Sequence, residues 1–68
     1  MTPNGYMDEI AVVIRRRRRE LGIDQETTAQ LAGVSRKSVS EIERGKRTVR
    51  LDVLMRVVDV LGLRMEIS

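Results

Sequence analysis

The chain has 68 residues and neither Cys nor His, and its 13 Lys and Arg against 10 Asp and Glu leave a formal net charge of +3. That length holds one domain, whose core buries roughly 60% of the surface its unfolded form exposes, so its stability calls for a supplement. Composition excludes disulfides and a soft-ligand metal site, which leaves oligomerisation as the supplement; the lack of any apolar run near ~20 residues and of a signal-peptide pattern points to the cytoplasm and to no membrane partner.

Met1-Thr-Pro-Asn-Gly5 is turn-forming, and residues 1–6 are expected to form a flexible N-terminus. From Met7, the apolar Ile10, Val13, Ile14 and Leu21 recur at helical spacing until Gly22 stops the run. A second, short helix is predicted over 25–32, capped by Asp24 and ended by Gly33, with Thr28, Ala29, Leu31 and Ala32 turned inward. Ser35 can cap a third helix that runs to about Arg44 and is closed by Gly45. The fourth, over about 51–61, confines Asp52, Arg56 and Asp59 to one wedge, and its remaining positions are Leu, Val or Met. So wide an apolar face exceeds what one small core needs, and part of it is expected to meet another chain, with Met55 as filling.

After Gly62 the period changes to two, with Leu63, Met65 and Ile67 alternating with Arg64, Glu66 and Ser68. This reads as one short strand, residues 63–68, with no second strand in the chain to satisfy its backbone groups. The expected architecture is therefore all-α, four helices in a domain over 7–62, with a C-terminal strand that pairs across a dimer. Leu61, Leu63, Met65 and Ile67 are its expected interface residues.

On a helical wheel the third helix sends Val39 and Ile42 one way and Arg36, Lys37, Ser40, Glu41 and Arg44 the other. Residues 36–50 carry six cations against two carboxylates, which implies an acidic partner surface. An exposed basic helix after a tight turn suits a DNA major groove, where each base pair shows a distinct pattern of donors and acceptors. General acid–base and nucleophilic chemistry lack their parts, so neither an enzyme nor a cofactor is expected. A protein-interaction module that sequesters a partner is the rival class, and the outward basic arc argues against it.

The segment Gln25-Glu-Thr-Thr-Ala29-Gln-Leu-Ala-Gly33-Val-Ser-Arg-Lys-Ser-Val39-Ser-Glu-Ile42-Glu-Arg-Gly45 resembles the helix-turn-helix repressors of the Xre type, the family of Cro and the lambda repressor. Ala29 allows close approach of two helices, Gly33 takes the turn's backbone angle, and Val34, Val39 and Ile42 stand at buried positions of the motif. The resemblance implies base reading by Arg36, Lys37, Ser40 and Glu41. It implies phosphate contacts by Gln25, Ser35, Arg44, Lys46, Arg47 and Thr48, and a structural ion pair between Arg18 and Glu43. For Glu41 two readings stand open: acceptance from a cytosine N4 amine, or a one-turn pair with Lys37. Arg15, Arg16 and Arg19 are expected to be solvated, because five successive arginines on a helix point all round.

The stretches Gly45–Leu54 and Leu61–Ile67 are in addition similar to HipB-like antitoxins. That likeness implies strand pairing with a twofold mate, repression of the chain's own operon and a HipA-like kinase toxin as partner. Stand-alone phage repressors and restriction-modification controllers share the helix-turn-helix core and form the alternative. Two positions depart from the pattern: Thr28 replaces a usual Leu, at a cost of about 1–3 kcal/mol in apolar packing, and Arg50 replaces a capping Ser.

Overall fold

The computed structural model describes residues 5–64, which form four α-helices: α1 (Tyr6–Glu20), α2 (Gln25–Ala32), α3 (Arg36–Glu43) and α4 (Leu51–Val60). Among the described residues there is no strand; Leu63 and Arg64 belong to no regular element, and the rest of the expected strand, residues 65–68, lies outside the described residues. α1 begins at Tyr6, inside the segment expected to be loose, with the acidic Asp8 and Glu9 in its first turn and Arg17, Arg18 and Arg19 in its last, as the helix dipole favours.

Each helix ends on a glycine-closed turn. After α2, Gly33 takes φ 70°, its N–H returns to the Gln30 carbonyl, and the Val34 N–H returns to Ala29 at 3.0 Å. After α3 the same geometry places Gly45 at φ 77°, and a Cβ there would collide with the Asp8 carboxylate of α1. Gly45 is thus required by its backbone angle, and a side chain there would in addition have to push the Asp8 carboxylate aside.

The core gathers Ile14 from α1, Ala29 and Ala32 from α2, Val39 and Ile42 from α3, and Leu54, Val57 and Val58 from α4. Thr28 is fully buried, and its hydroxyl donates to the Asp24 carbonyl at 2.9 Å, so the polar atom that replaces apolar volume is satisfied within its own helix. α4 starts without a side-chain cap; Arg50 instead reaches Asp52 at 3.1 Å.

Three inward expectations and one interface expectation are corrected. Leu31 is 62% exposed, because only Thr28, Ala29 and Ala32 of α2 face the core. Leu21 lies past the last residue of α1 and is exposed, and Val34 is only half-buried. Leu61, expected at a dimer interface, is 1% exposed within its own chain, where the turn closing α4 folds it back onto the core.

Candidate nucleic-acid interface

The starts of α2 and α3 are each fixed by a short side-chain cap. Asp24 accepts from the Thr27 N–H at 2.8 Å, and Ser35 accepts from the Ser38 N–H at 3.0 Å, so one otherwise orphaned donor of each first turn is paired. Hydrogen bonding from Thr27 holds the Asp24 carboxyl below its ordinary range. With α2 packed on α3, the orientation of α3 follows from its two fully buried side chains, Val39 and Ile42. Arg36, Lys37 and Arg44 then stand exposed, and Ser40 and Glu41 half-buried, along the opposite arc.

The residues expected at phosphates flank that arc. Gln25 begins α2, Ser35 caps α3, and Arg44, Lys46, Arg47 and Thr48 follow α3, the last four all exposed. Lys46 is committed within the chain: its ammonium donates to Glu41 at 3.1 Å. Of the two readings left open for Glu41, the one-turn pair with Lys37 is replaced by a pair with Lys46, and the reason is local. The turn that closes α3 returns the Lys46 N–H to the Glu41 carbonyl at 3.0 Å, which stacks those two side chains on each other. The bond from Lys46 holds the Glu41 carboxyl below its usual range, with the charges of Lys37 and Arg44 adding to the effect.

Behind α3 lies a buried polar knot. Glu43 is 5% exposed and receives Arg18 in fork geometry, Nε to Oε2 at 2.6 Å and Nη2 to Oε1 at 3.0 Å. Gln25 Nε2 adds a third donor to Oε1 at 3.2 Å, and Arg18 Nη1 also reaches the Ile23 carbonyl. Burial pushes the Glu43 carboxyl up, but the hydrogen bonds from Arg18 and Gln25 and the charges of Arg18 and Arg15 outweigh it and hold the group below its usual range. Hydrogen bonding to Glu43 correspondingly raises Arg18. The knot ties α1, the start of α2 and the end of α3 into one unit, and no buried side-chain polar atom among the described residues lacks a partner.

Sequence reasoning overlooked Arg15. Expected in solvent, it donates from Nη1 to the Glu43 backbone carbonyl at 2.9 Å, satisfying an orphan acceptor of the last turn of α3. The available signal was spacing, since Arg15 lies one turn before Arg18 on the flank of α1 that meets α3. Arg17, also overlooked, donates to the Leu61 carbonyl at 2.9 Å, whereas Arg16 and Arg19 are exposed as expected.

A four-helix core with a short glycine turn presenting a basic, side-chain-capped helix defines a helix-turn-helix domain. Residues 14–67 match the helix-turn-helix family, and the chain belongs to that family of DNA-binding transcriptional regulators. An uncharacterised HTH-type transcriptional regulator of Methanothermobacter thermautotrophicus (strain Delta H) is 36% identical over 50 residues, covering 74% of this chain and 72% of the relative. A crystal structure of a variant of the restriction-modification controller protein C.Esp1396I is similar at TM-score 0.74 and 28% identity, over 85% of this chain and 75% of that one. No helix among the described residues is long and apolar enough to cross a membrane.

Proposed function

We propose that the protein is a sequence-specific transcriptional repressor that reads an inverted repeat as a homodimer. The observation that carries this is the two-sidedness of α3, locked inward by Val39 and Ile42 and presenting Arg36, Lys37, Ser40 and Glu41 outward with no large apolar side chain among them. Those four read base edges in the major groove. Ser35, Arg44, Lys46, Arg47 and Thr48 hold phosphates and set the docking register. Gln25 contributes through the backbone N–H groups at the start of α2, since its side-chain amide is engaged by Glu43. Lys46 gives one hydrogen to Glu41 and keeps two for a phosphate.

Dimerisation is assigned to antiparallel pairing of residues 63–67, for which the described residues offer no partner strand, and to the apolar side of α4. Twofold symmetry then makes the target an inverted repeat. The likeness to a restriction-modification controller protein favours a controller-type regulator. A HipBA-like antitoxin role rests on residues 45–54 and 61–67 alone, and an adjacent kinase-like gene whose product co-purifies with the chain would favour it instead.

Selection from random double-stranded DNA tests the proposal. The expected product is an inverted repeat whose half-site centres lie about 34 Å apart, one helical turn. No enrichment would remove the DNA-reading role, and enrichment of a single asymmetric site would remove the twofold one.

A further inference from the structure

α1 and the end of α4 leave a groove of about 280 Å³ lined by Glu9, Ile10, Val13, Ile14, Val58, Leu63 and Arg64. Ile14 and Val58 form a buried floor, while Val13 on the wall is 45% exposed. The apolar surface continues along α4, because the exposed Leu51 and Met55 stand seven and three residues before Val58 on the same stripe. Glu9 and Arg64 are both exposed here, and neither enters an ion pair within the described residues. No residue of α2 or α3 lines the groove, so covering it leaves the outward arc of α3 open.

We propose that this groove seats a second copy of the chain in a twofold arrangement, with Ile10 and Val13 of α1 as interface residues and Glu9 of each copy facing Arg64 of the other. Three features select that occupant. Opposite charges bordering one apolar groove, unpaired with each other in one chain, become two equivalent ion pairs when a twofold axis passes through the groove. Leu63, the residue after the turn that ends α4, forms part of the wall, so pairing of the following residues with a twofold mate brings that mate's backbone to the groove itself. And a 68-residue chain without disulfides gains its missing apolar burial by covering such a face with itself.

The inference deepens the homodimer reading above and rests on it, so its test is run without DNA. Sedimentation equilibrium over a range of concentrations compares the wild type with Val13→Glu, Glu9→Arg, Arg64→Glu and the double charge swap. Val13→Glu places a charge in the covered groove of both copies and should weaken dimerisation roughly a hundredfold. It sits at a half-exposed position, and circular dichroism should show the monomer still helical. Either single charge reversal sets like charges opposite each other and should weaken the dimer about tenfold, while the double swap restores it. A dimer unaffected by Val13→Glu and by both reversals would overturn the groove as its seat while leaving the homodimer reading intact. A wild type that is monomeric throughout overturns both; a groove-dependent dimer that selects no DNA overturns only the DNA reading.

Discussion

The two faces of α3 are held by different physics, although each carries a glutamate. On the inner face Glu43 is buried, forked by Arg18, bonded by Gln25, and has its own carbonyl bonded by Arg15. On the outer face Glu41, two residues earlier, is bonded by the exposed Lys46, with the charges of Lys37 and Arg44 nearby. The same side chain is a fold element in one place and an adjustable surface charge in the other, because desolvation makes an ion pair obligatory where water cannot replace either partner. The inner face therefore sets where α3 stands, and the outer face is left free to meet a ligand.

Stranding one member of the inner pair should have the largest effect. Glu43→Ala leaves Arg18 without its carboxylate and is expected to cost about 3 kcal/mol, read as a lowered Tm of the DNA-free protein. A variant that melted normally but failed to bind DNA would move Glu43 to the outer class. Acid sharpens the same contrast. Since Glu43 is held below the value of an unfolded glutamate, about 4.3, the folded state takes up this proton less readily than the unfolded one. Its stabilisation is complete above that value and is lost as pH falls through it toward the depressed folded value. Thermal melts across that window should show part of the wild type's acid sensitivity missing in Glu43→Gln.

The outer face should respond in binding and not in melting. Arg36→Ala is expected to lose about 1–3 kcal/mol of discrimination at one base pair in each half-site, with Tm unchanged. Lys46→Ala should weaken binding to all sequences and lower the salt slope by roughly one unit, and an unchanged slope would remove Lys46 from the phosphate set. The smallest effect belongs to Glu41→Gln, which frees Lys46 and removes a like charge from the phosphates. Affinity for arbitrary DNA should rise slightly at low salt while Tm stays put.

How much of this was legible in the sequence depended on whether a feature is local. The caps Asp24 and Ser35 and the turn glycines Gly33 and Gly45 could be placed from order alone, since each acts within three or four residues of itself. The Arg18–Glu43 pair spans 25 positions and came from resemblance, not from periodicity. Features decided by tertiary angle were missed. Leu31 is apolar and at helical spacing, yet α2 is so short that three small residues fill its contact with the core. Arg15 was lost in the arginine run: its one-turn spacing from Arg18 marks it, but the contact itself is made by the placement of α1 against the end of α3. For Glu41, one-turn spacing offers Lys37 as the pairing lysine beside a base contact, whereas the turn that closes α3 brings Lys46 to it.

The central claim is that the outward arc of α3 reads sequence while its inward face only positions it. It is tested most directly by measuring fluorescence anisotropy of the wild type and Arg36→Ala on a selected inverted repeat, on the repeat with each half-site base pair changed in turn, and on scrambled DNA, at one salt concentration. The variant should bind scrambled DNA almost as the wild type does and lose its preference at one position per half-site. Equal weakening on every sequence, with no position singled out, would contradict base reading by α3.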